Sequence, residues 1–171
     1  MRIRVFLSVV LVSSLILTML PSDVQAIPTV NVMTCRDVTI QNLGASGTKA
    51  HPVGCGRDFP TSLPYVVLYM QFEQIEIRTP FAWQLYAPNE EVYARGSSAF
   101  NPPYPGTWTY YVYLVLPVAA THKEIVEKKP DFRFGIIEVG AKPVSEMPGE
   151  WRLQVSLGGG SPTVARFTLR P

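Results

Sequence analysis

The sequence is poor in the side chains that catalysis and metal binding most often use. It holds only two cysteines and two histidines in 171 residues. A Gly-x-Ser-x-Gly motif, which marks the nucleophile of many hydrolases, is absent. The histidines, His51 and His122, have no partners at a spacing typical of zinc ligands. The sequence therefore predicts no catalytic residue, no metal and no cofactor, and a hydrolase or metal-dependent protein is the alternative with least support from the residues.

Charge is also scarce and nearly balanced. Charged residues make up 16% of the chain, and the formal net charge is +2 at pH 7. Proteins that bind nucleic acids usually carry a concentrated basic patch, so no nucleic-acid partner is expected. Beyond residue 26 the longest apolar run, near residues 110–120, is broken by Pro117 and is too short for a membrane span.

Helical periodicity is nearly absent, and apolar residues recur instead at every second position, which is typical of strands. In residues 65–77 the apolar positions change phase between Phe72 and Ile75. Because a slip of one residue exchanges the two faces of a strand, this change predicts a β-bulge or break near Glu73 and Gln74.

The clearest prediction is a closing hairpin. Apolar residues alternate through residues 151–157, Gly158–Gly160 provides a turn, and residues 164–169 return. Strands every 10 to 20 residues predict an all-β fold, an antiparallel β-sandwich. The exception is a charged segment near residues 119–132, which could be helical and is expected to be a surface insertion. We expect four aromatic residues to anchor the core: Trp83, Trp108, Trp151 and Phe167.

The first 26 residues have the layout of a secretory signal peptide. Arg2 and Arg4 precede an apolar run over residues 5–20, and a segment ending in Ala26 follows with small or aliphatic residues where a signal peptidase reads. An uncleaved membrane anchor is the alternative, but the run is short for a span. We therefore expect cleavage after Ala26, a single domain over residues 27–171, and a secreted or periplasmic mature protein.

The two cysteines, Cys35 and Cys55, are expected to form a disulfide because an even pair in an exported chain usually does. Closing a loop of about 20 residues contributes roughly 3 kcal/mol in the chain-entropy description. The segment between them is rich in glycine, serine, asparagine and threonine. Residues 27–64 are thus predicted to be a disulfide-stapled N-terminal part, and residues 65–171 the core of the sandwich.

The residues 148–169, PGEWRLQVSLGGGSPTVARFTL, resemble the closing hairpin of bacterial extracytoplasmic immunoglobulin-like modules. Those modules end in a Pro-Gly-x-Trp turn, an alternating strand, a glycine-containing turn and a Phe-x-Leu strand. The segment WQLYAPN at residues 83–89 is similar to another strand and turn of the same modules, although Asn89-Glu90 stands where Asp-Gly is usual. The resemblance implies an immunoglobulin-like fold and an extracytoplasmic location. It transfers no catalytic residue.

One pair of aromatic residues is a candidate binding face. Alternation places Tyr111 and Tyr113 on the face of their strand opposite the core. They could form a platform for a sugar ring or for an apolar patch of a partner, or another strand could cover them. The first hypothesis for function is a non-catalytic module of the bacterial cell envelope that binds another envelope or extracellular protein or has a structural role. The alternative is a module that binds a glycan or small ligand through these tyrosines.

Overall fold

The structure, a computed structural model, describes residues 28–42, 48–75, 78–100, 106–116, 136–137 and 143–171. The described chain is built from strands and a single 3₁₀ turn at Val144–Glu146. The strands are β1 (Thr29–Cys35), β2 (Asp37–Asn42), β3 (Thr48–Val53), β4 (Asp58–Pro60), β5 (Tyr65–Ile75), β6 (Thr79–Tyr86), β7 (Val92–Phe100), β8 (Gly106–Val115), β9 (Ile136–Ile137), β10 (Gly149–Leu157) and β11 (Thr163–Arg170).

The strands form two large sheets and one hairpin. The first sheet has the order β1-β5-β8-β9, and the second has the order β4-β11-β10-β6-β7. Among the described strands, β2 and β3 pair with each other alone. Pairing is antiparallel except where two short strands, β4 and β9, add in parallel at sheet edges.

This strand order is that of an immunoglobulin-like sandwich. The strands of such a sandwich are lettered A to G in chain order. Strands A, B and E are neighbours in one sheet, and strands C, F and G are neighbours in the other. In this protein β1, β5 and β8 correspond to strands A, B and E, and β6, β10 and β11 correspond to strands C, F and G. The protein is therefore an all-β, immunoglobulin-like sandwich, as the sequence predicts.

The core lies between the inner faces of the two sheets. Alternate residues of β6, β10 and β11 point inward and are buried, and they meet apolar residues of β5 and β8. The largest of them, Trp151, is fully buried, stacks on Phe167 with ring centroids 6.3 Å apart, and donates from Nε1 to the carbonyl oxygen of Met147 at 3.1 Å. A buried indole that also satisfies its N–H is well suited to anchor a core.

Two local predictions from the sequence are confirmed. The pairing of β5 with β8 shifts register between Phe72 and Ile75, and Gln74 within this bulge has φ of 57°. The closing hairpin pairs Trp151 with Phe167, and its turn uses Gly158 and Gly159 at φ of 57° and 78°. Glycine adopts positive φ at little cost, and Gly160 closes this turn by donating to the carbonyl oxygen of Leu157 at 2.9 Å.

Other parts of the chain depart from the expected boundaries or lie beyond the description. Strands β1 and β4 precede residue 65, yet each pairs into a large sheet. The signal segment at 1–26 and the charged segment at 119–132 lie outside the described residues.

A close approach fixes the residue at one position of β7. The Trp83 side chain on β6 lies directly across Gly96 on β7, so that a Cβ atom at Gly96 would be 2.7 Å from the indole. A contact of that length requires the indole or the strand to move. In this position the Trp83 side chain is only 6% exposed. The indole can occupy it because residue 96 is a glycine and has no side chain.

We expect Gly96→Ala to lower the free energy of unfolding by about 1 to 3 kcal/mol, because overpacking displaces Trp83 from its place in the core. Gly56→Ala is the matched control: a Cβ there meets nothing within 4 Å, so its effect should be within about 0.5 kcal/mol. Denaturant unfolding followed by tryptophan fluorescence measures both. Equal stability of the two variants would show that Trp83 does not need this gap.

Candidate functional site

The tyrosine face of the first sheet is covered by the β2–β3 hairpin. Tyr113 is only 3% exposed, and Tyr111 beside it is half-buried. Both belong to a second apolar cluster on the side of the sheet away from the main core. The cluster contains Cys35, Val38, Ala50, Val67, Tyr69 and Tyr113, with Met33, Tyr65, Tyr111 and Val115 at its border. Tyr113 is therefore not open to a ligand in this fold, whereas Tyr111 is half-buried at the border of the cluster.

The tyrosines contact one another edge to face. The ring centroids of Tyr65 and Tyr113 are 5.1 Å apart, and those of Tyr111 and Tyr113 are 5.8 Å apart. Edge-to-face contacts of this kind add to the gain from apolar burial. Tyr113 thus has rings on two sides and serves packing.

Tyrosine hydroxyls connect the sheet to the hairpin above it. Tyr69 donates to the carbonyl oxygen of Ala50 on β3 at 3.0 Å, and Tyr65 donates to Oδ1 of Asp37 on β2 at 3.2 Å. Burial is the main cause that raises the pKa of Tyr69 above its ordinary value, since an ionised phenol would lose hydration there. Neutral Tyr69 can keep donating to Ala50, so this link between sheet and hairpin holds at physiological pH.

The predicted disulfide is present and attaches the hairpin to the sheet. Cys35 at the end of β1 is bonded to Cys55 with an S–S distance of 2.09 Å, across 20 positions of sequence. The backbone beside it is also connected, since Gly56 donates to the carbonyl oxygen of Thr34 at 3.0 Å and the Thr34 hydroxyl donates to that of Gly56 at 2.7 Å. The loop closed by this bond contains all of β2 and β3.

The four predicted core anchors lie at different depths. Trp151 and Phe167 are buried at 0% and 1% exposure, and Trp83 is buried across Gly96. Trp108 is half-buried at the border of the main core. The three most buried anchors all lie in the second sheet, and Trp108 alone comes from the first.

The histidines do not form a metal site within the described residues. His51 lies on β3, and its Nε2 is 3.1 Å from Oε1 of Gln41 on the paired strand. Across the described ranges no group of three or more histidine, cysteine, aspartate or glutamate side chains is arranged to hold a metal ion. His122 lies outside the described residues.

A polar cluster lies on the outer face of the second sheet, where the sequence indicated only alternation. The Arg152 guanidinium lies over the Tyr86 ring, 3.8 Å from its centroid, and donates to Oε2 of Glu90 at 2.6 Å and to Oε1 of Gln154 at 3.1 Å. Tyr86 in turn donates to Oε1 of Gln84 at 2.6 Å. We call Tyr86, Gln84, Glu90, Arg152 and Gln154 the outer-face cluster.

The contacts of this cluster hold Arg152 in one orientation. Its side chain is 22% exposed, whereas that of Glu90 is 71% exposed. The hydrogen bond to Glu90 is the first cause that raises the pKa of Arg152, so the guanidinium stays charged. The cluster could not be found from the sequence because Tyr86 and Arg152 become neighbours only through the register of β6 and β10.

A groove of about 630 Å³ lies between β1 of the first sheet and β11 of the second. Four charged residues line it: Arg57, Asp58, Glu150 and Arg166. Asp58 is paired with Arg170 at 2.7 Å, and Glu150 with Arg166 at 3.4 Å. Both pairs are largely exposed, and an ionic ligand would have to compete with them, so the groove is a weaker candidate than the outer-face cluster.

Comparisons with known proteins add a fold likeness without a family. The chain matches no protein-family model and no curated protein sequence. Among solved structures it is similar to an immunoglobulin-like protein from Pseudomonas aeruginosa, with 14% identity and a TM-score of 0.42 over 86% of this chain and 99% of the other.

It is also similar to part of a β-glucosidase from Listeria innocua, with 10% identity and a TM-score of 0.37 over 84% of this chain and 16% of the other. Both TM-scores are low, so the immunoglobulin-like assignment depends on the strand order within this chain. No helix in the described part of the chain is long and apolar enough to cross a membrane.

We expect removal of the disulfide to loosen the cover over the tyrosines while the two large sheets remain. A Cys35→Ala/Cys55→Ala double variant should lose about 3 kcal/mol of unfolding free energy, since its unfolded chain regains the freedom of the closed loop. Hydrogen exchange should quicken most in β2 and β3. Reduced wild-type protein is the control and should behave alike. A loss below about 1 kcal/mol with unchanged exchange in the hairpin would contradict this role for the bond.

Proposed function

We propose that this protein is an exported, non-catalytic immunoglobulin-like module that binds another protein of the cell envelope or extracellular space. The observation that carries the proposal is the outer-face cluster on the second sheet. Arginine and tyrosine are enriched among the residues that dominate binding energy at protein interfaces. In this cluster the two side chains are already in contact with each other and with Glu90.

Preorganisation favours the cluster as a binding surface. An arginine held by a ring, a carboxylate and an amide loses little side-chain freedom when a partner docks. Its neighbours Gln84 and Gln154 are half-buried and lie opposite each other in the pairing of β6 with β10. A partner would therefore meet an ordered strip of polar groups with an aromatic ring at its centre, which is typical of protein interfaces that form and dissociate.

Protein is favoured over glycan as the partner. A sugar ring binds by stacking on an open aromatic face, but Tyr113 is buried beneath the hairpin. The Arg152 guanidinium covers one face of the Tyr86 ring, 3.8 Å from its centroid, so a sugar ring could not stack on that face. The charged side chains of Glu90 and Arg152 are better suited to hydrogen bonds and ion pairs with a polypeptide than to stacking against a sugar.

Export is the second part of the proposal. The basic start, the apolar run and the segment ending at Ala26 favour a cleaved signal peptide. The disulfide between Cys35 and Cys55 is consistent with an oxidising compartment such as the periplasm or the extracellular medium.

Expression of the full chain in a bacterium that exports proteins tests the compartment. We expect the product in the periplasm or medium, with Ile27 as its first residue by N-terminal sequencing and no free thiol by mass spectrometry. Arg2→Glu/Arg4→Glu is the matched variant and should slow export, because it reverses the charge of the basic start. A product that keeps residues 1–26 and sediments with the membrane would contradict cleavage.

Affinity capture from native envelope extract tests the interaction, with the exported protein as bait. A protein partner should be retained, and Tyr86→Ala/Arg152→Ala should reduce its recovery at least about tenfold, as expected for the centre of an interface. Thr39→Ala/Lys49→Ala, in exposed positions of the β2–β3 hairpin, is the control and should retain the partner. Equal recovery by both double variants would exclude the outer face, and the absence of any retained protein would count against the proposal.

A further inference from the structure

Among the described strands, the second sheet ends on a long strand, β7, whose outer edge has no paired neighbour. Strand β7 runs for nine residues, Val92–Phe100, and within the described chain it pairs only with β6. Natural proteins protect such edges with lysine, proline or short strands, because unpaired N–H and C=O groups recruit another strand. Strand β7 has no proline and one charged residue, Arg95. The strand itself therefore lacks the usual protective residues.

The register shows which backbone groups face outward. Gly158 donates to the carbonyl oxygen of Pro80 at 2.8 Å, so the Pro80 carbonyl points toward β10 and away from β7. Pro80 lies opposite Ala99 on β7. In an antiparallel pair of strands, two residues opposite each other either exchange two backbone hydrogen bonds or both direct their N–H and C=O groups away from the partner strand.

The backbone groups of Ala99 therefore point to the open edge. The backbone N–H and C=O groups of Arg95 and Ser97 also point to the open edge, since the direction of these groups repeats at every second residue of a strand. The side chains of these three residues are all exposed.

We propose that β7 pairs antiparallel with β7 of a second copy of this chain, about a two-fold axis at Ser97. In this register Ser97 lies opposite Ser97 of the second copy, and Arg95 lies opposite Ala99. Each of these residue pairs exchanges two backbone hydrogen bonds. The two sheets then continue into each other across the axis, in an isologous interface.

Charge and size both favour self-pairing in this register. The sole charged side chain of the strand, Arg95, faces the small Ala99, so that like charges do not meet. Between these pairs Gly96 lies opposite Ser98, at positions where antiparallel strands approach most closely. The small residues on both sides leave room for that approach.

The inference is independent of the proposed function. Pairing at β7 uses backbone groups at the edge of the sheet, whereas the outer-face cluster uses side chains on its surface. Two other occupants of the edge are possible outcomes of a test: a strand of a different protein, and the segment of this chain at residues 117–135.

Sedimentation velocity of the protein purified after expression of the full chain tests the pairing, from about 1 μM to about 1 mM. The wild type should shift from monomer to dimer over this range, and the amides of Ser97 and Ala99 should exchange more slowly in the dimer. Ser97→Pro removes an outward N–H that the monomer does not use, a position where edge strands tolerate proline. This variant should remain monomeric, and Ser97→Ala, the control, should dimerise as the wild type does.

A second variant keeps the test decisive if Ser97→Pro fails to fold. Ser97→Lys places two ammonium groups on the axis, where like charges repel, and should weaken the dimer at least about tenfold at low salt. A wild type that stays monomeric at about 1 mM overturns the proposal and leaves the other two occupants. A dimer that persists in both Ser97→Pro and Ser97→Lys shows that the copies pair elsewhere, which also overturns it.

Discussion

Burial of β5 on both of its faces is the constraint on which the rest of the structure depends. Five successive residues, Val66–Met70, are each at most 1% exposed. A strand alternates its side chains between two faces, so such a run needs an apolar cover on each side. On one side the cover is the second sheet, and on the other it is the β2–β3 hairpin.

The β2–β3 hairpin alone would hold weakly to the first sheet. It is joined to that sheet by a disulfide and by two tyrosine hydrogen bonds. Among its described residues, Val38 and Ala50 are the two buried apolar side chains that it contributes to the cluster. An isolated two-stranded hairpin is at best marginally stable in water. The disulfide, the Tyr69 bond to Ala50 and the Tyr65 bond to Asp37 compensate for the small apolar area. The disulfide thus helps to keep the hairpin over Tyr113.

The features that could be predicted from the sequence are local in the chain. The bulge after Phe72 and the turn at Gly158 each follow from a few adjacent residues, and the structure confirms both. The hairpin cover could not be predicted, because β3 has almost no apolar alternation and shows its role only when placed over β5. The outer-face cluster is not predictable from the sequence for a related reason: Tyr86 and Arg152 are 66 positions apart, and only the register of β6 with β10 brings them together.

The two surfaces proposed for binding use different chemistry on one sheet, and this has a consequence for affinity. The outer-face cluster presents side chains perpendicular to the sheet, whereas the β7 edge presents backbone groups within its plane. Strand β6 connects the two surfaces, because its Tyr86 belongs to the cluster and its Trp83 packs on Gly96 of β7. A pair of copies joined at β7 would display two clusters on one continuous face. For a partner with repeated sites, the second contact would then be intramolecular, and avidity could exceed the affinity of either cluster without any new contact.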